Sequence, residues 1–555
     1  LSNINHILPC LKSLMGHRLL PDNLIPKVLR DRGLAEVKVD HIFEVVYRQL
    51  FGCFLDEEAT KAQKLVMSVP NTYSPVHLET LRKIAKACMP NLRPDYTNFI
   101  SESDAVACYY LEHQRTFCKN SGIDQNSLRN SNVLVFDMGA GTLDLTYFRQ
   151  STNGNEDIIS IDGKMGVSKA GNYLDYVLAD IIVNMIIAKV DANKNALHLN
   201  DSTDVKNFKD ELAQLLSLKL TQDKYLDPFH LKDYVKNSIK PLLNKPQEKL
   251  PACPKILGRS FDSILSEYTI EDIISSDQFK RFLSETTQDV FKHFVALFGD
   301  PNKGMKIDVV IFSGRMTGIK TLRNAVKSAL NIFMPSAEDV DNCRFADLAS
   351  KKFIDINEDV SDVTDLKTVV VEGAMAFCTR FQRGKGRFKF LNTNVYASYG
   401  LILEKQGGGV SWIPLIDYRT KPTLQGRAMS ADGMTINQYD TDKYKASFRR
   451  NDISDLIDMQ GRIDGAQLYR IYLVQSYSSN PASDWDNGNK EMMTILETYQ
   501  DFPMAPLSYR MTIDANNVMK FVMTGVNDTH MAHDDIKNDA LRKSNWPISF
   551  GEQNN

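Results

Sequence analysis

Asp137-Met138-Gly139-Ala140-Gly141-Thr142-Leu143-Asp144 is the stretch on which the reading of this chain turns. Apolar, β-branched runs flank it, Asn132 to Met138 (NVLVFDM) on one side and Leu143 to Phe148 (LDLTYF) on the other. The spacing predicts two strands joined by a tight glycine turn. The first strand delivers Asp137 to its tip, and the second begins with Thr142 and Asp144. Glycine and alanine let a backbone approach a ligand closely and aim successive N–H groups into one concavity. That concavity suits phosphate oxygens, and the two flanking carboxylates suit a hydrated Mg²⁺. The Thr142 hydroxyl is placed to reach a terminal phosphate.

Working outward, residues 1–380 alternate short β-branched runs with amphipathic stretches. Lys64 to Val69 reads as a strand, Pro70 to Pro75 as a loop, and Val76 to Cys88 as a helix with Leu78, Leu81, Ile84 and Ala85 on one face. Asp308 to Phe312 reads as a buried strand closed by Ser313-Gly314 and followed by a helix from Thr321 to Leu330. Strands alternating with helices argue for an α/β architecture. Beyond the basic joint Arg383 to Lys389 the pattern changes to alternating strands: Ala397–Leu403, Val410–Asp417, Gln467–Ser476, Leu507–Ile513 and Val518–Thr524. Gly407-Gly408-Gly409, Asp432-Gly433 and Asn516-Asn517 supply turns, so an all-β unit is expected there.

The turn DMGAGTLD resembles the second phosphate motif of the actin and Hsp70 ATPase superfamily, D-x-G-x-G-T-x-D, most closely its Hsp70 form. Further stretches agree in family order. Ser68-Val69-Pro70 is similar to the strand and proline of the first ATPase lobe, and Phe99 to Ala107 (FISESDAVA) to the connecting-helix motif. Gly171-Asn172-Tyr173-Leu174-Asp175 is similar to G-G-x-x-[FL]-D, Asp308 to Arg315 to the adenosine motif, and Glu372-Gly373-Ala374 to the second connecting motif. Leu11 to Arg18 resembles A-K-R-L-I-G-R-R. Past the joint, Ser398 to Leu401, Gly408 to Ile416 and Thr512 to Val518 are similar to strands of the Hsp70 peptide-binding sandwich.

The resemblance implies a divergent Hsp70 with a two-lobed, actin-like (ribonuclease H-like) ATPase domain over 1–382 and a linker over 383–394. It further implies a peptide-binding-like β-sandwich over 395–526, followed by a polar tail over 527–555. It implies ATP or ADP and Mg²⁺ as ligands, extended or unfolded polypeptide as partner, and co-chaperones. On this pattern Lys12, Glu102, Asp137 and Thr142 are the catalytic group. Lys12 would neutralise the γ-phosphate and Glu102 would orient the attacking water. Gly139, Ala140, Gly141, Thr142, Gly171, Ser313, Gly314 and Arg315 would hold nucleotide, with Asp137 and Asp144 holding magnesium through water. Leu401, Leu403, Val410 and Trp412 are candidates for peptide pockets.

Departures from the pattern set further expectations. Ala140 stands where the family has glycine, which requires a negative φ. Arg315-Met316-Thr317 replaces S-T-R, and Phe388 to Asn392 replaces the acidic-leucine linker. The chain opens at Leu1, and the family's first phosphate loop would precede Lys12, so a fragment that hydrolyses ATP weakly is expected. The alternatives are a non-hydrolysing Hsp70-like scaffold, an exchange-factor-like partner, or an actin-like filament former.

Composition excludes other classes. The chain has 555 residues, room for three or four packed units of roughly 150 residues. Its 24% charged and 43% apolar content is that of a globular protein rather than a disordered one. With 66 basic and 69 acidic residues the net charge is -3, which gives no broad positive field for nucleic acid. The longest apolar run, Val177 to Val190, is broken by Asp180 and Asn184 and reads as a buried helix rather than a membrane span. Eight scattered cysteines with no C-x-x-C pair argue against a disulfide scaffold or zinc site and for reduced thiols in a cytoplasmic protein.

Overall fold

The computed structural model describes residues 15, 32–33, 36–54, 65–73, 75–89, 97–153, 156–217, 226–299, 305–334, 336–358, 366–381, 388–392, 397–416, 455–463, 468–488, 493–500, 502, 506–514, 519–526 and 528–530. Its first region holds α1 (Val39–Phe54), β1 (Leu65–Val69), α2 (Pro75–Cys88), β2 (Thr97–Ser101) and α3 (Glu102–Ser121). β1 and β2 run parallel, in register from Leu65↔Thr97 to Val69↔Ser101. The expected apolar stripe of α2 does bury itself: Leu78, Leu81, Ile84 and Ala85 pack with Met67 and Val69 of β1 and with Val39 and Phe43 of α1. α3 begins directly after β2 because the Ser101 hydroxyl caps it, accepting the Asp104 N–H at 3.1 Å. It ends at Gly122, whose φ of 65° only glycine adopts readily.

The second region is built on a seven-stranded mixed sheet. Its strands are β3 (Asn132–Met138), β4 (Leu143–Asn153), β5 (Glu156–Val167), β6 (Val309–Ser313), β7 (Arg344–Asp347), β8 (Lys352–Ile354) and β9 (Phe388–Asn392), in the order β8-β7-β6-β3-β4-β5-β9. β3, β4 and β5 form an antiparallel meander, so the expected hairpin is present. β6 lies parallel to β3, and β7 parallel to β6. Period-two alternation explains why this sheet is covered on both faces. Leu134, Phe136, Val310 and Phe312 point into one apolar cluster, against α4 (Gly171–Lys189). Val133, Val135, Val309 and Ile311 point into another, against α3.

α4 contains most of the run read as a buried helix. Among the described residues it is the one helix long and apolar enough to cross a membrane, and 61% of its apolar window is buried inside the protein. The remaining helices used below are α5 (Gln288–Phe298), α6 (Lys320–Ala329) and α7 (Leu366–Ala376). α6 begins and ends one residue before its expected bounds.

Two strand–helix–strand units with parallel strands, β1–α2–β2 and β6–α6–β7, therefore occur in one chain. No sequence repeat announces them. The helices that follow, α3 and α7, share one apolar cluster and touch backbone to backbone. A side chain at Gly373 of α7 would run into the carbonyl of Ala105 in α3.

Toward the C-terminus the strands form separate antiparallel sheets. One has the order β11 (Val410–Ile416), β10 (Ser398–Lys405), β13 (Leu468–Ser476), β14 (Met493–Gln500), β17 (Asp528–His530). The other has the order β12 (Asp455–Ile463), β15 (Leu507–Asp514), β16 (Met519–Thr524). Gly407, Gly408 and Gly409 make the β10–β11 turn with φ of 92°, 99° and 92°, a run that requires glycine. Five expected strands are found within two residues of their predicted ends; β12, β14 and β17 are additions. The Asp432-Gly433 and Asn516-Asn517 turns lie outside the described residues. Two segments behave differently from expectation. Part of the expected linker, β9, is the outermost described strand of the seven-stranded sheet, paired in parallel with β5 from Asp157↔Phe388 to Ile161↔Asn392. The stretch read as a polar tail contributes β17, which pairs with β14.

Candidate functional site

The β3–β4 hairpin brings its two acids face to face: Asp137 and Asp144 are register partners at the base of the turn. Both are buried. Each oxygen of Asp144 accepts a hydrogen bond, Oδ1 from the Asn71 N–H at 2.8 Å and Oδ2 from the Thr142 hydroxyl at 2.8 Å. Burial nevertheless pushes the Asp144 carboxyl well above the usual carboxylate range, and the charges of Glu102 and Asp137 push it further. Three carboxylates from α3, β3 and β4 thus act on one point.

Above them the turn is open. Ala140 and Gly141 are exposed, and nothing lies within 4 Å of where a Gly141 Cβ would stand. Neither Gly139 nor Gly141 has positive φ, and Ala140 does not either, which meets the condition set for an alanine there. Glycine in this turn therefore serves access rather than backbone strain. The Gly139 N–H closes the turn onto the Thr142 carbonyl at 3.0 Å, whereas the Ala140 and Gly141 N–H groups have no backbone acceptor among the described residues. The turn is held from behind by the start of α4. The N–H groups of Gly171 and Asn172 donate to the carbonyls of Gly139 at 3.0 Å and Ala140 at 2.6 Å. Gly171 touches the turn so closely that a Cβ would meet the Gly139 oxygen at 2.9 Å. Lys240 steadies this helix start, donating to the Gly171 carbonyl at 3.0 Å and pairing with buried Asp175.

On the other side, Ser313 is the parallel register partner of Asp137. Gly314, with φ of 80°, passes so near the β3 end that a side chain would collide with the Met138 carbonyl. Arg315 begins the short helical turn that follows and is exposed. Asn244 fixes that turn, donating to the Gly318 carbonyl at 2.9 Å and accepting from the Lys320 N–H at 2.8 Å.

The structure thus gathers Asp137, Gly139, Ala140, Gly141, Thr142, Asp144, Gly171, Ser313 and Gly314 at one sheet end, within electrostatic reach of Glu102. Lys12 lies outside the described residues. Gly171 faces the back of the turn, with its N–H already used. Among the described residues no group of three His, Cys, Asp or Glu side chains is placed to bind one metal ion directly.

Several neighbours had no sequence signal. Asn71, in the loop after β1, is one. Lys164 of β5 is another; it forms an ion pair with Asp104 of α3, both side chains nearly buried. Tyr477 is the third. It follows β13, and its buried phenol reaches the Gly166 backbone beside Asp144. Only fold-level packing brings the C-terminal sheet to this point. Of the four pocket candidates, Leu401 and Leu403 are core residues. Val410 and Trp412 are half-buried, and the Trp412 ring lies against Gly400.

No family model and no curated protein matches the chain.

Proposed function

We propose that this protein is a divergent Hsp70-like chaperone in which ATP binding and hydrolysis govern polypeptide binding by the C-terminal β region. One observation carries the reading. An exposed turn whose Ala140 and Gly141 N–H groups have no backbone acceptor among the described residues stands over a pair of buried, mutually repelling carboxylates. Free N–H groups in a concave turn favour anions, and acids crowded together favour a cation. Magnesium with a nucleotide's phosphates supplies both. The meander feeding two parallel strands, and the crossing of α3 and α7, support the two-lobed form.

The donor set fits a hydrated magnesium ion. Both oxygens of Asp144 already accept protein hydrogen bonds, so Asp144 and its partner Asp137 would hold the ion through its water shell. When bound, the ion would neutralise phosphate charge. Ala140 and Gly141 would bind phosphate oxygens through their N–H groups, with Thr142 at the turn's end. Glu102, at the first position of α3, would orient the attacking water. Ser313 and Gly314 would border the nucleoside, and exposed Arg315 would stack on the base. Positioning and charge stabilisation supply the rate, as is usual in phosphoryl transfer.

Communication with the β region has two supports. β9 extends the ATPase-side sheet from the linker, and Tyr477 reaches Gly166 beside Asp144. An extended peptide would add to β11, the outermost described strand of its sheet, with half-buried Val410 and Trp412 as apolar contacts.

A second reading, a non-hydrolysing scaffold or exchange-factor-like partner, is favoured by one feature. The α4 N–H groups nearest the turn are consumed by its carbonyls, leaving fewer donors for a terminal phosphate. Calorimetry with ATP and Mg²⁺ on the wild type, Asp137→Asn and Glu102→Gln separates the two. Binding with turnover that the variants lose means an ATPase; binding without turnover means a scaffold. Failure of labelled unfolded peptide to bind in any nucleotide state removes the chaperone reading.

A further inference from the structure

Asn71 follows Pro70 in the loop between β1 and α2. A loop asparagine ordinarily bonds its own backbone two residues on. This one instead reaches residues 32, 74 and 94 positions away. Its Nδ2 lies 3.0 Å from Ser103 Oγ, 3.2 Å from the Leu145 carbonyl and 3.3 Å from the Met165 carbonyl. The Ser103 hydroxyl lies 3.2 Å from Asn71 Oδ1 and 2.7 Å from the Thr146 hydroxyl. An amide has two N–H hydrogens, so it serves both strand carbonyls while Ser103 donates to Oδ1. The Asn71 backbone N–H is then aimed at Asp144 Oδ1, 2.8 Å away. The space is tight: a Cβ on neighbouring Gly166 would stand 2.7 Å from that same oxygen and 2.8 Å from the Thr72 nitrogen.

We propose that Asn71 is a positioning residue, setting Asp144 of β4 against the Glu102-bearing start of α3 through a four-point polar bridge between the two regions. Ser103 adjoins Glu102 in the chain, and Leu145 adjoins Asp144. The single side chain therefore holds both acids by their immediate neighbours. Aspartate, of the same shape, has no hydrogen to give the two carbonyls, and alanine makes none of these bonds. The role rests on the nucleotide-binding reading of the site, in which Glu102 and Asp144 work together.

The test compares the full chain with Asn71→Ala, Asn71→Asp and Ser103→Ala. Hydrogen exchange without nucleotide is followed in peptides covering 66–73 and 143–148, beside Mg·ATP affinity and turnover. Both peptides exchange faster in the Asn71 variants. Affinity stays within about threefold while kcat falls about 10- to 100-fold, the scale of a small misplacement of reacting groups. Ser103→Ala shows a smaller effect, and Asn71→Ala with Ser103→Ala is no worse than Asn71→Ala alone. Unchanged exchange at 143–148, or affinity and kcat falling together, overturns the proposal. If the wild type binds no nucleotide, the functional reading fails, and exchange at 143–148 alone decides whether Asn71 positions Asp144.

Discussion

His293 Nε2 lies 2.8 Å from the carbonyl oxygen of Tyr477, joining α5 to the residue that leads out of β13. The contact ties the helical region to the C-terminal sheet at the residue whose phenol reaches Gly166. Burial lowers the His293 pKa below its ordinary value, although the Tyr477 carbonyl and Asp484 act against this. The unfolded chain therefore binds the proton more readily, and stability falls as pH drops from about 6.5 toward the lowered folded value. Melting temperature measured from about pH 8 to 5.5 is expected to decline more steeply for wild type than for His293→Gln. Parallel curves would remove His293 as the cause.

Asp144→Asn removes an ionisable group from a cluster of two buried acids and half-buried Glu102 while keeping the shape. Relief of repulsion is expected to leave the melting temperature equal or higher near neutral pH, where the wild-type carboxyl is strained by burial. Turnover is expected to fall by about 10²- to 10⁴-fold. Equal ATP hydrolysis by the variant and wild type would exclude Asp144 from the chemistry.

Two glycines make a contrasting pair. Gly141→Ala adds a methyl in open space at a φ that is not positive, so stability should move by no more than about 0.5 kcal/mol. The methyl occupies the turn's open face, and Mg·ATP affinity should weaken. Gly373→Ala gains about 1 kcal/mol of helix propensity but drives a methyl into the Ala105 backbone, an overpacking cost of about 1–3 kcal/mol. Net destabilisation in urea titrations is expected. A stabilised Gly373→Ala protein would mean that α3 and α7 cross less closely.

Lys164 and Asp104 form an ion pair with side chains only 12% and 5% exposed. Lys164→Met leaves the Asp104 charge buried without this partner and should cost about 3–5 kcal/mol. Lys164→Met combined with Asp104→Leu should recover most of that loss, since replacing both charges avoids the desolvation penalty. Urea denaturation of the three proteins tests it, and a double variant as unstable as the single one would show that Asp104 has another structural task.

Local pattern was enough for the elements that carry local signals. The β3–β4 hairpin, the apolar stripe of α2 and the Gly407–Gly409 turn each follow from neighbours within a few residues, because side-chain period and φ preference act over that range. The acids at the turn were legible for the same reason: strand pairing at a tight turn puts Asp137 opposite Asp144. In sequence β9 looks like linker because five residues cannot announce a partner more than 200 positions back; its pairing with β5 is a long-range hydrogen-bond match. Asn71, Lys164 and Tyr477 look like unremarkable loop or strand residues in sequence. Their partners are set by which sheet ends and helix starts the packed core brings into contact, and close-packed interiors decide that through the whole chain rather than any window of it.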